Sequence, residues 1–128
     1  EPGEVVREIV VPLEGASTGV SYHKMPQPAS GFAIVGIAVR LKCSGGKIVM
    51  ARIGVTGLSN IAYRAAEAEK ALEGSSGSAE DLAKAAALVA RGVDANSDLH
   101  ASADYRKHLA TVYAARAIQT ALNAAMKA

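Results

Sequence analysis

The spacing of apolar residues changes near the middle of this chain, and that change limits its fold more than any other feature. Up to about Thr56 they alternate with period two, and beyond about Ala62 they recur at helical spacing. Strands grouped first and helices grouped after them give an α+β domain with segregated layers. At 128 residues the chain has the length of one ordinary domain, so a single core is expected. The expected architecture is a two-layer sandwich, an antiparallel sheet of three to four strands packed on three helices.

Residues 5–12 are β-branched and apolar apart from Arg7 and Glu8, which predicts a strand that Pro12 ends. A short strand over 20–25 precedes the Pro26-Gln27-Pro28 break. Two β-rich runs, 31–43 and 47–56, flank Ser44-Gly45-Gly46 and predict an antiparallel hairpin. Alternation puts Val35, Ile37, Val39, Leu41 and Cys43 on its core face, matched by Val49, Ala51, Ile53 and Val55. Ile34, Ala38, Ile48 and Met50 then fall on the other face, either as ordinary surface aliphatics or as a contact with another domain.

A helix is expected over 62–72, ending near Gly74. Ser78-Ala79-Glu80-Asp81 has capping-box spacing and opens a second helix running to about Arg91 with Leu82, Ala85, Ala86 and Val89 buried. Ser102 caps a long last helix from Ala103 to about Lys127. Tyr105, Leu109, Val112 and Tyr113 share one of its stripes, and Ala115, Ile118 and Leu122 lie nearly opposite. Neighbouring helices or a partner must cover whichever stripe the sheet does not. The small side chains that fill these helices imply close backbone approach rather than a wide aromatic-lined cavity.

A net charge of +2 with scattered basic residues argues against a nucleic-acid surface. The lone Cys43 excludes an internal disulfide framework and an iron-sulfur cluster held by cysteines of this chain, and fits a cytoplasmic setting. No run of about 18 apolar residues is present to span a bilayer. The start Glu1-Pro2-Gly3-Glu4 resembles neither a signal peptide nor an initiator methionine, so a segment of a longer protein is expected.

Candidate chemistry is sparse. His100, Asp104 and His108 recur every four residues and would line one side of a helix as a metal site, but nothing is placed to complete the ligand shell. Ser97, Asp98, His100 and Ser102 contain the residue types of a hydrolase triad without a nucleophile turn or an oxyanion hole. Gly31, Gly36, Gly54 and Gly57 have the wrong spacing for a phosphate loop. No catalytic or metal-ligating residue is therefore assigned. Lys24, two residues from Tyr22 on a short strand, either contacts an anion or a cofactor edge or lies along the sheet. The loop Gly57-Leu58-Ser59-Asn60 combines a flexible glycine with the amide donors of the helix expected after it, and is the expected place for any cofactor contact.

Several segments, in order, resemble one family. Pro2-Gly3-Glu4-Val5-Val6 through Val11-Pro12, Tyr22-His23-Lys24 and Phe32-Ala33-Ile34-Val35-Gly36 come first, with Gly31 where an acidic residue is usual. Gly45-Gly46-Lys47, Arg52-Ile53-Gly54-Val55 and Arg64-Ala65 with Glu67 or Glu69 follow. Most specific is Ser97-Asp98-Leu99-His100-Ala101-Ser102-Ala103-Asp104-Tyr105-Arg106, similar to the family's Ser-Asp-x-Arg-Ala-Ser-x-Glu-Tyr-Arg. The order resembles the C-terminal domain of the FAD-binding medium subunit of molybdenum hydroxylases, of the aerobic carbon monoxide dehydrogenase and xanthine dehydrogenase type.

The resemblance implies a subunit whose FAD is held mostly by two preceding domains. It passes electrons between an iron-sulfur small subunit and an external acceptor, while a molybdopterin large subunit hydroxylates substrate. Residues 1–14 would be the end strand of the preceding FAD-binding domain, and 20–128 the C-terminal domain proper. Tight flavin binding by this chain alone is not expected. Lys24, Gly57, Leu58, Ser59 and Asn60 would flank the flavin, in a structural and subunit-contact role. The competing readings are an independent α+β dimerisation or binding module and a small metal-dependent enzyme.

Overall fold

The computed structural model describes residues 2–11, 13 and 15–127. Four strands, β1 (Thr18–Pro26), β2 (Ala33–Ser44), β3 (Lys47–Thr56) and β4 (Tyr63–Arg64), form one antiparallel sheet in sequential order. Helices α1 (Ala66–Leu72), α2 (Ala79–Leu88) and α3 (Ala103–Lys127) complete the α+β sandwich. Helix α3 packs on β1 and β2, α1 packs on β3, and α2 bridges the other two helices.

The β2–β3 hairpin closes through Gly45 and Gly46 at φ +58° and +73°, the sign that the primed turns of tight hairpins require. Ile37, Val39, Leu41, Ala51, Ile53 and Val55 are buried on the core face, as alternation predicts. The two ends of β2 depart from strict alternation. Cys43 pairs with Ile48 while Lys42 pairs with Met50, so Val49 is an extra residue at a bulge. Ile48 consequently enters the core and Val49 turns outward at 50% exposure, the reverse of the expected pattern. At the other end Met25 pairs with Val35 and Pro26 with Ala33, and the extra Ile34 is buried. The outer face thus loses two of the four aliphatics that alternation assigns to it. Ala38 remains exposed there and Met50 half-buried.

The buried surface of α3 is a seam of Ala110, Ala114, Ala117 and Ala121, flanked by Leu109 on one side and Ile118 and Leu122 on the other. The two stripes read from the sequence are therefore the margins of one face, and Tyr105 lies outside it, exposed. Alanines let the helix descend onto β1. A Cβ on Gly19 would lie 1.8 Å from Ala121 O and 2.6 Å from Ala125 N, so helix and strand backbones touch there with no side chain between them. Ser21 reinforces the contact by donating to Ala117 O at 2.7 Å.

Helix α1 begins at Ala66, later than expected, because Tyr63 and Arg64 pair with Val55 and Gly54 as β4. Helix α2 ends at Leu88 rather than Arg91. Its predicted capping box is present: Ser78 Oγ accepts from Asp81 N–H at 3.2 Å, and Asp81 Oδ2 accepts from Ser78 N–H at 3.0 Å. Ser78→Ala is expected to lower stability by about 1 kcal/mol, read as a reduced urea midpoint at constant m. Ser102 Oγ accepts from Tyr105 N–H at 3.3 Å at the start of α3, as expected.

Residues 4–11 carry no regular secondary structure and join no strand of the sheet, contrary to the strand expected at 5–12. Val5, Val6, Ile9, Val10 and Val11 are all exposed. The physical reason is that a β-branched run becomes a strand only beside a free strand edge with matching register. Pro12, expected to end that strand, and Glu14 lie outside the described residues.

Candidate functional site

The β1–β2 turn is built on Gln27. Its N–H donates to Phe32 O at 2.7 Å, its carbonyl accepts from Gly31 N–H at 2.8 Å, and its Oε1 accepts from both Ser30 N–H and Ser30 Oγ. Lys24 Nζ donates to Gly31 O at 2.8 Å and so holds the turn from the strand below. Gly31 takes φ +72°, a backbone angle that a side chain at that position would strain.

At the end of β3, Gly57 takes φ +77°, and a Cβ there would lie 2.6 Å from Ile34 O and 2.7 Å from Ala33 O. Leu58 is fully buried, and its carbonyl accepts from Asn96 N–H at 2.8 Å. Ser59 Oγ donates to Ile61 O at 2.9 Å, and Asn60 is exposed. The helix expected directly after this loop is displaced by β4, so no helix N-terminus sits at Gly57–Asn60.

The third wall is the turn before α3. Asp98 Oδ1 accepts from His100 N–H at 2.9 Å and Ala101 N–H at 3.1 Å, and its Oδ2 accepts from Arg106 Nη2 at 2.7 Å. These hydrogen bonds, the His100 amide first and the Arg106 guanidinium second, hold the Asp98 carboxyl below its ordinary range. Arg106 is 5% exposed, yet its Nη1 donates to Ile34 O at 2.5 Å and Gly57 O at 3.0 Å. One guanidinium therefore joins all three segments. Between them lies an open cleft of about 300 Å³, lined by Gln27, Ser30, Phe32, Gly57, His100 and Arg106 among others.

Of the residues singled out in the sequence, Gly57 lines this cleft and Lys24 reaches the turn beside it through Gly31 O. Leu58 is sealed in the core and offers no side chain to a ligand. Asp104 and His108 are exposed on α3 and His100 lies in the turn before it. Among the described residues no group of three or more His, Cys, Asp or Glu side chains is placed to hold a metal ion. The triad types are used differently: Asp98 caps backbone amides and pairs with Arg106, and Ser102 caps α3.

Arg106 is the residue whose role the sequence argument misses. A signal existed: at helical spacing it lies in line with Ala110, Ala114 and Ala117, so it points inward with the alanine seam. The ten-residue motif ending at Arg106 therefore has a structural meaning, since its Asp and Arg ends close on one another.

A family model described as the CO dehydrogenase flavoprotein C-terminal domain matches residues 20–121. The chain belongs to this family. The carbon monoxide dehydrogenase medium chain of Afipia carboxidovorans is 36% identical over 121 residues, covering 94% of this chain and 42% of the relative. The 6-hydroxypseudooxynicotine dehydrogenase complex subunit alpha of Paenarthrobacter nicotinovorans is 33% identical over 125 residues, covering 97% of this chain and 42% of its own length. The solved structure of reconstituted CO dehydrogenase from Oligotropha carboxidovorans superimposes with a TM-score of 0.82 at 34% identity, covering 89% of this chain and 40% of that one. The chain thus spans about 42% of the length of these curated relatives.

In this member of the CO dehydrogenase flavoprotein C-terminal family a second ion pair, between the exposed Arg64 and the buried Glu69, braces β3 at Ile53. Glu69, 5% exposed, receives Arg64 Nε at 2.7 Å and Nη2 at 2.5 Å, and accepts from Ile53 N–H at 2.8 Å. Glu67 pairs with Arg91 instead. Burial alone would raise the Glu69 pKa, but the Arg64 side chain and the Ile53 amide together hold it below 4.5. Because the folded value lies below the unfolded one, its stabilisation is complete above about pH 4.5 and is lost as pH falls through the folded value. Glu69→Gln is expected to be less stable than wild type at neutral pH, with the gap narrowing on acidification. Denaturant midpoints measured across that range check this, and a gap that widens would contradict it.

Proposed function

We propose that this chain is the C-terminal domain of the FAD-binding medium subunit of a molybdopterin-dependent oxidoreductase of the carbon monoxide dehydrogenase type. Its work there is structural: it contacts neighbouring subunits and flanks the flavin, and substrate chemistry belongs to other parts of the complex. The observation that carries this reading is the family match over 20–121, beside which Gly57 lines the cleft and Lys24 bonds the turn next to it through Gly31 O. The match supports it over a free-standing dimerisation or binding module.

The dimensions of the site fit a limited role towards FAD. Ligand sites that enclose drug-sized molecules span roughly 300–1,000 Å³, and a dinucleotide is larger than most such ligands. An open cleft of about 300 Å³ suits a wall against one edge of the ring system and is too small to enclose the whole cofactor. Gly57 lines that cleft, and Lys24, Ser59 and Asn60 would extend the wall beside it, with Leu58 contributing backbone only. When bound, the flavin supplies the capacity to take up and pass on electrons; the chain's residues position it and exclude water.

Preceding FAD-binding domains, an iron-sulfur small subunit and a molybdopterin large subunit are the partners this reading requires. Residues 5–11 would complete a sheet of the preceding domain, which accounts for their exposed β-branched side chains here. No described helix is long and apolar enough to cross a membrane, and we place the complex in the cytoplasm. The test is flavin content. The full-length protein carrying this chain is expected to purify with one FAD per subunit, and the chain alone to show no micromolar FAD binding. A full-length protein without flavin would contradict the proposal.

A further inference from the structure

The ladder between β2 and β3 ends at the pair Gly36 and Thr56. Beyond it Ile34 and Gly57 are not partners in the ladder, yet their backbones stay in contact: a Cβ on Gly57 would lie 2.6 Å from Ile34 O. Two carbonyls then point toward one place, Ile34 O and Gly57 O, and both accept from Arg106 Nη1. Carbonyl dipoles crowded in this way repel unless a donor or cation sits between them, and low local dielectric strengthens both the repulsion and its relief. Asp98 fixes the guanidinium from its other side while tying down the turn at His100 and Ala101. Arg106 Nε finds no acceptor and is sealed from solvent, so the guanidinium is oriented by these carbonyls rather than to satisfy its full set of donors.

Each latched segment carries an exposed apolar side chain: Phe32, which lines the cleft, at 79%, Ile61 at 76% and Leu99 at 90%. Arg106 is the buried side chain that bonds to all three segments at once, through Ile34 O, Gly57 O and Asp98. We propose that Arg106, held by Asp98, is a positioning residue that sets the spacing of the loops at 27–34, 57–61 and 98–101 where they close over the flavin and keep water from it. The inference rests on the flavin-flanking reading above and assigns to Arg106 and Asp98 a role in controlling solvent access rather than in contacting the reacting atoms.

The test uses the full-length protein and the variants Arg106→Met, Arg106→Lys and Asp98→Asn, with iodide quenching of flavin fluorescence read beside flavin content and thermal midpoint. With the latch broken in Arg106→Met, loops free to separate expose the ring, and the quenching constant is expected to about double or more at unchanged flavin content. Arg106→Lys keeps a cation near the two carbonyls without the planar fork to Asp98, so its quenching falls between Met and wild type. Asp98→Asn keeps the guanidinium but loosens its anchor, and it also falls between. If Arg106→Met does not fold, the Lys and Asn variants carry the comparison. Lowered thermal midpoints with wild-type quenching in all folded variants would overturn the inference and leave the flavin-flanking reading intact. A wild-type protein that holds no flavin would overturn that reading, and this inference with it.

Discussion

Gly19→Val is expected to destabilise the chain by at least about 3 kcal/mol, at the upper end of what overpacking a core costs. The reason is specific to the position. Most overpacked side chains relax by moving other side chains, but the atoms a Gly19 Cβ would meet are Ala121 O, Ala121 C and Ala125 N, all backbone of a 25-residue helix. Relief therefore requires α3 to lift off β1 as a unit, uncovering the alanine seam and breaking the Ser21 to Ala117 hydrogen bond. Domains of this kind are stable by only about 5–15 kcal/mol, so the loss is a large fraction of the total. Urea unfolding followed by circular dichroism measures it. A variant with a wild-type midpoint would mean that α3 does not rest on β1 at this point.

Arg106→Met is expected to cost about 3 kcal/mol, because truncating a buried arginine leaves the carbonyls it bonded desolvated and unpaired, at about 1–3 kcal/mol each. Here the stranded partners are the carbonyls of Ile34 and Gly57. A methionine fills much of the volume of the arginine stem, so the loss reports the guanidinium rather than a cavity. By contrast, Arg91→Met removes an exposed pair with Glu67 and is expected to change stability by less than about 1 kcal/mol. Equal losses at the two sites would contradict the assignment of Arg106 as a latch.

The parts of this fold legible in the sequence are those set by local chemistry. The Gly45-Gly46 turn, the Ser78 and Asp81 box and the Ser102 cap each depend on residues at most a few positions apart. Alternation also locates β2 and β3 correctly, yet it cannot foresee where a strand takes an extra residue. The extra residues go with contacts from distant parts of the chain: beside Val49, Ile48 bonds Gly74 and Ser75, and Ile34 O accepts from Arg106. Strand β4 is hidden for a related reason: two residues, Tyr63 and Arg64, are too few to display a period, and they sit against an Ala- and Glu-rich run that reads as helix throughout.

The site was legible by halves. Lys24 and the glycine at 57 are locally distinctive, one beside a proline-rich break and one at the end of an apolar strand; Gly57 lines the cleft and Lys24 bonds the turn beside it. Arg106 looks like ordinary helix decoration until the buried side of α3 is known, and the Asp98 carboxylate eight residues earlier gains meaning only when the chain turns back on itself. The family resemblance is the source of the proposal that neither pattern nor spacing supplies, that this domain closes against a flavin-bearing body.

The central claim is that the end of the domain carrying the 27–34, 57–61 and 98–101 loops is the face turned toward a flavin-bearing body. Amide hydrogen exchange on the full-length protein, compared with this chain alone, measures it most directly. The account predicts that added protection in the full-length protein concentrates at those three loops and at residues 5–11. Loops that exchange as fast in the full-length protein as in the isolated chain, with new protection falling instead on the outer face of β2 and β3, would contradict it.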